Sequence, residues 1–179
     1  TLAVERARRA LLNGSGSTWL VAWASQTGLA EQLAWRTAES LQAAGLPVRL
    51  LPVSELDAEL LAGCEQALFV VSTTGDGDAP DHAAGFLRRL LARDQPLPRL
   101  RYGLLALGDS SYDRFCAFGH RLDAWLQHQH APPLFDIIEV DNGDEATLRH
   151  WQHQLGVLGG HPGGDGGVAA EHELTDWRA

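Results

Sequence analysis

Lysine and methionine are wholly absent from this 179-residue chain, and cysteine occurs only at Cys64 and Cys116. Without lysine there is no Walker-type phosphate loop, no pyridoxal Schiff base and no lysine-dependent receiver site. Two cysteines are too few for a disulfide framework and suit a reducing compartment. No apolar run approaches the roughly 18–20 residues of a membrane span, and the opening residues do not read as a secretory leader. The missing methionine, initiator included, leads us to expect a piece of a longer polypeptide. Basic charge is also scarce. All 14 basic residues are arginines, set against 23 acids for a net charge of −9, and this argues against a nucleic-acid surface.

What is present has the balance of one globular domain, 45% hydrophobic and 21% charged, plus short tails. Residues 1–17 carry Arg6, Arg8 and Arg9 and then Asn13-Gly14-Ser15-Gly16-Ser17, a flexible basic segment by composition. Residues 159–179 open on Gly159-Gly160-His161-Pro162-Gly163-Gly164-Asp165-Gly166-Gly167, a glycine-rich linker. The acid excess therefore belongs to the folded unit expected over 18–158.

Within that unit, short apolar runs alternate with helical spacing. Strands are predicted at Trp19–Ala24, Val48–Val53, Ala67–Ser72, Tyr102–Leu107 and Ile137–Val140. Helices are predicted over Leu29–Ala44, stopped by Gly45, and over His82–Ala92, Arg114–His128 and Glu145–Leu155. Continuous apolar strands separated by helices mean an α/β doubly wound parallel sheet. Five strands suit the flavodoxin-like order 2-1-3-4-5, and no GxGxxG follows the first strand.

In such a sheet, ligands sit beyond the strand C-termini at the switch point, so three loops carry the chemistry. Ser25-Gln26-Thr27-Gly28-Leu29-Ala30 offers hydroxyls and backbone amides at a helix start, an anion site that needs no cation. Read plainly, it is also a helix start capped by Ser25 or Thr27. Ser72-Thr73-Thr74-Gly75-Asp76-Gly77-Asp78-Ala79-Pro80-Asp81 holds two glycines able to change backbone conformation. Gly108-Asp109-Ser110-Ser111-Tyr112-Asp113-Arg114-Phe115-Cys116 sets Tyr112 as a stacking plate for a flat ring.

Ala24-Ser25-Gln26-Thr27-Gly28, Ser72-Thr73-Thr74-Gly75-Asp76-Gly77 and Leu107-Gly108-Asp109-Ser110-Ser111-Tyr112 with Phe115-Cys116 follow one another within residues 18–158. In these motifs the chain resembles the flavodoxin-type FMN domain of the diflavin reductases, and most closely their sulfite reductase branch. The resemblance implies an FMN site made by Ser25, Gln26, Thr27, Gly28, Leu29 and Ala30 around the phosphate. It adds Ser72, Thr73, Thr74, Gly75, Asp76 and Gly77 in the middle loop, then Leu107, Gly108, Asp109, Ser111, Tyr112, Phe115 and Cys116. Gly75 would turn its carbonyl toward the flavin as the redox state changes. Many family members carry an aromatic where Thr74 stands, which leaves Tyr112 as the single stacker.

The resemblance further implies a module of an NADPH-dependent flavoprotein oxidoreductase. FAD and NADPH would bind a missing C-terminal reductase module, and single electrons would pass to a haem or iron–sulfur acceptor protein. The alternatives are a free-standing flavodoxin-like carrier and a non-catalytic interaction domain of the same fold. A cytoplasmic location is expected, and Arg6–Arg9 would suit a juxtamembrane segment below an upstream membrane anchor. Trp35, Trp125 and Trp151 fall at core spacing, Trp23 walls the pocket, and Cys64 and Cys116 read as buried small residues. His150 and His153 lack partners for a metal. Asp76, Asp78, Asp81, Asp109, Asp113, Asp141, Asp144 and Glu145 gather on one rim, with Asp81 and Asp144 expected as helix caps.

Overall fold

The computed structural model describes residues 18–25, 28–73, 83–109, 111 and 116–158. The tails at 1–17 and 159–179, and the central parts of all three loops, lie outside this set. The elements run β1 (Trp19–Ala24), α1 (Leu29–Ala43), β2 (Val48–Pro52), α2 (Ala58–Ala62) and β3 (Gln66–Ser72). Next come α3, a turn over Ala84–Phe86 that widens into a π turn over Leu87–Leu91, then β4 (Arg101–Gly108), α4 (Ala117–His128), β5 (Ile138–Asp141) and α5 (Glu145–Leu158).

The five strands form one sheet in the order β2-β1-β3-β4-β5, every pairing parallel. The predicted topology is borne out. Because parallel strands are covered on both faces, they read as unbroken apolar runs, yet successive side chains still divide between two cores. Leu20, Ala22, Phe69, Val71, Leu104 and Ala106 pack with Leu60, Phe86, Phe118 and Leu122 on one face. Val21, Leu68, Val70 and Leu105 pack with Leu33, Leu41, Trp151 and Leu155 on the other. There the buried Trp151 indole N–H donates to Thr37 Oγ1 at 3.0 Å, and that hydroxyl donates to the Leu33 carbonyl at 2.8 Å. The polar end of the largest core residue is thereby satisfied.

The structure corrects four expectations. Trp35 is not core: it is 55% exposed, because it falls outside the buried stripe of Ala30, Leu33, Ala34, Thr37, Ala38 and Leu41. Helix α4 begins at Ala117 rather than Arg114, since Cys116 takes a left-handed φ of 55° that no continuing helix permits. The helix predicted over His82–Ala92 is described from Ala84 to Leu91, but its second part, Leu87–Leu91, is a π turn and not a regular α-helix, and residue 82 lies outside the described set. Between β2 and β3 the chain adds a 3-10 turn at Val53–Glu55 and the five-residue α2. Five residues are too few for periodicity to reveal, although the Asp57 side chain caps α2 through the Leu60 amide at 2.8 Å. Among the described residues, no helix is long and apolar enough to cross a membrane.

Candidate functional site

The C-terminal ends of β1, β3 and β4 converge at the centre of the sheet, and the three motif-bearing loops leave from them. At the first, Gly28 holds φ 100° and ψ −12°, the left-handed region open chiefly to glycine. Among the described residues a Cβ placed there would meet nothing within 4 Å, so a substitution at Gly28 would be strained through its backbone. The Gly28 amide donates to Ser25 Oγ at 2.8 Å. Ser25 thus organises the turn that leads into the helix. The N-cap position itself is a glycine with no side chain to cap α1, and Thr27, the other expected cap, lies outside the described residues. Ala30 is buried and Leu29 is 43% exposed at this rim.

The middle loop leaves β3 under firm control. Ser72 Oγ donates to the Ala24 carbonyl of β1 at 3.1 Å. The Thr73 amide donates to the Leu107 carbonyl of β4 at 3.0 Å, and its hydroxyl accepts the Phe118 amide at 3.1 Å. One dipeptide therefore grips both flanking strands and α4. Sequence reasoning named Ser72 and Thr73 but missed these ties, since Thr73 and Phe118 lie 45 residues apart.

The third loop opens on Asp109, whose carboxylate accepts both the amide and the hydroxyl of Ser111, at 2.9 and 2.7 Å. These bonds hold the Asp109 carboxyl below its ordinary value. The loop closes at Cys116, fully buried, with Sγ 3.4 Å from the Ala106 carbonyl. Burial pushes the Cys116 thiol up to about 12, with Glu139 and Asp141 adding to the shift. Burial alone takes Cys64 up to about 12. Both are free and buried, and burial disfavours the thiolate in each.

Two further ties escaped the sequence. The Asn142 amide, in a left-handed turn with Gly143, donates to the Gly108 carbonyl at 2.8 Å and draws the end of β5 against the third loop. His120 Nε2, one turn into α4, lies 2.7 Å from Glu139 Oε1 of β5. A left-handed Asn-Gly pair is a readable turn signal, whereas nothing local marks the His120–Glu139 pair.

Of the predicted site residues, Ser25, Gly28, Leu29, Ala30, Ser72, Thr73, Leu107, Gly108, Asp109, Ser111 and Cys116 are described and border these strand ends. Gln26, Thr27, Thr74, Gly75, Asp76, Gly77, Tyr112 and Phe115 lie outside the described residues. On the rim, Asp141, Asp144 and Glu145 are exposed. Asp144 caps α5 as expected, accepting the Thr147 amide at 3.0 Å and hydroxyl at 2.5 Å, and both bonds keep its carboxyl below the ordinary value. Asp76, Asp78, Asp81 and Asp113 are outside the described set. Trp23 is half-buried against the core beneath α1.

The family model for flavodoxin matches residues 21–151. The sulfite reductase [NADPH] flavoprotein alpha-component of Aliivibrio fischeri is 35% identical over 155 residues, 86% of this chain and 26% of that protein. Its counterpart in Vibrio cholerae is 37% identical over 136 residues, 75% and 22% respectively. The chain thus spans about a quarter of the length of these relatives. Among solved structures, a flavodoxin of Streptococcus pneumoniae superposes with a TM-score of 0.67 at 27% identity, covering 80% of this chain and 96% of that one. A cysteine-to-serine mutant of a Pseudomonas aeruginosa flavodoxin gives 0.68 at 25% identity, covering 80% and 97%.

Proposed function

The chain belongs to the flavodoxin family, whose cofactor is FMN, and from that premise we propose that it is an electron-transfer domain fed by a reductase. That reductase module, carrying FAD and NADPH, lies in the same or another chain. The acceptor is a haem or iron–sulfur protein. The relatives' names support an oxidoreductase flavoprotein role.

One observation carries the reading: the two helices that open beside the central strand start on left-handed residues, Gly28 and Cys116, with no side-chain cap of their own. At Gly28 a Cβ would meet none of the described residues within 4 Å, and a glycine at the start of a helix lets a phosphate approach its backbone amides at the positive end. The phosphate is held by amides of residues 26–30 with the hydroxyls of Ser25 and Thr27, and no arginine takes part. Thr74, Gly75, Asp76 and Gly77 follow the ring on one side. Tyr112 stacks on the ring, with Asp109, Ser111, Phe115 and Cys116 along its edge. Bound there, the flavin supplies reversible redox chemistry of its own. The protein's part is to bind and orient it and to exclude water from one face. No side chain need move a proton in catalysis.

The acidic rim gives the partner-facing side its character. Asp141, Asp144 and Glu145, with Asp76 and Asp78 of the middle loop, present negative charge to a basic partner face and speed encounter. The purified domain should be yellow and should release FMN, one per chain, on denaturation. Reduction by an added reductase should slow as salt rises, because screening acts over about 8 Å at physiological ionic strength. A colourless chain that takes up no FMN overturns the reading in favour of an interaction domain. A salt-independent rate overturns the role of the rim alone.

A further inference from the structure

Helix α4 starts on a residue that cannot cap it. Cys116 is left-handed, and its Sγ points down to the Ala106 carbonyl at 3.4 Å. The first-turn amides of a helix need acceptors from outside it. For Phe118 that acceptor is Thr73 Oγ1 at 3.1 Å, reached across the crevice from the exit of β3. Thr73 is itself pinned, its amide donating to the Leu107 carbonyl of β4 at 3.0 Å. The next helical residue, Gly119, lies so close to β4 that a Cβ there would fall 2.5 Å from the Ala106 Cβ. The first turn of α4 is therefore pressed flat on the sheet, and its only side-chain cap among the described residues comes from another loop.

We propose that Thr73 is a positioning residue that couples the middle loop to the third loop by capping α4 in trans. The proposal rests on the flavin reading given above and adds to it a mechanical link. The third loop ends at Cys116, and the helix it feeds is held by Thr73, where the middle loop leaves β3. A shift of the middle loop at Thr73 is felt at the Phe118 amide, and so at the exit of the loop that carries Asp109, Ser111 and Tyr112. Thr73 acts through the helix start and not by touching the ring.

Thr73→Val removes the acceptor while keeping the branched shape, and Thr73→Ser restores it. Two quantities are read: the FMN dissociation constant by fluorescence quenching, and exchange of the Phe118 amide in the FMN-free protein. A lost helix cap predicts that Val raises the dissociation constant by roughly five- to tenfold and speeds Phe118 exchange by a similar factor. Ser should hold both within about twofold of wild type. Thr73→Ala repeats the measurement should the Val variant not fold. Weaker FMN binding with unchanged Phe118 exchange would mean direct contact with the ligand and overturn the coupling. Faster exchange with unchanged affinity would make Thr73 a cap without a link to the site, and overturns it equally. A wild-type chain that binds no FMN defeats the flavin reading itself, a result separate from either.

Discussion

Of the five described helices, α3 follows residues outside the described set, and the other four open beyond the strand C-termini in two ways. The helices after the edge strands, α2 and α5, are each closed by an aspartate three residues before the amide it accepts, Asp57 to Leu60 and Asp144 to Thr147. The helices after β1 and β4, which flank the central strand, start on left-handed residues with no cap of their own. A self-capped start is a finished structural end, with its amides spoken for and its dipole already met by a carboxylate. A start without a local cap leaves amides and dipole to something else. At α4 that partner is Thr73. At α1 a Cβ on Gly28 would meet none of the described residues within 4 Å, and an anionic ligand suits a helix start of that kind.

Disabling the open start at α1 should have the largest effect. Thr27→Glu sets a carboxylate where the phosphate is expected and should weaken FMN binding by roughly a hundredfold or more, since apposed like charges cost several kcal/mol. A variant that purifies with its full FMN content would remove the first loop from the site.

The contrast between edge and centre sharpens with a pair of substitutions. Gly28→Val forces a branched residue into the left-handed region and should cost about 1–3 kcal/mol of stability, with FMN binding falling alongside. Asp57→Ala should cost about 1 kcal/mol through the lost cap and leave FMN affinity unchanged. Denaturant unfolding and FMN titration read both. If the two variants lose affinity equally, the distinction between the starts carries no functional meaning.

The smallest effect is electrostatic. Asp109 and Asp144 have carboxyls held below the ordinary 3.8 by their bonds to Ser111 and Thr147. Because the folded value is the lower one, their contribution is present above the unfolded carboxylate range and fades as pH falls through the folded value. Carbon-detected NMR titration should find both below the ordinary 3.8, and Ser111→Ala should return Asp109 alone toward it. An unmoved Asp109 would show that the Ser111 bonds do not set its titration.

The same division governs how much the sequence disclosed. The sheet was legible because buried parallel strands leave unbroken runs such as Trp19–Ala24 and Ala67–Ser72. The Asp144 cap was legible because an aspartate just before a helical stretch is a local signal. The start of α4 was not. Its position depends on Cys116 sinking against Ala106 and on an acceptor 45 residues away, and no local pattern encodes either. Trp35 misled for the opposite reason: its helical spacing was taken as core spacing, but the buried stripe of α1 runs through Ala30, Leu33, Ala34, Thr37, Ala38 and Leu41 and leaves it outside. Residue identities named the loops, while the ties that fix them belong to tertiary structure.

The central claim is that ligand-binding capacity belongs to the central starts and not to the edge ones. Amide chemical shifts on adding FMN to the FMN-free domain test this most directly. The largest changes should fall at Gly28, Ala30 and Phe118, with Leu60 and Thr147 changing least. Shifts at Leu60 or Thr147 that equal or exceed those at Gly28 and Phe118 would contradict it.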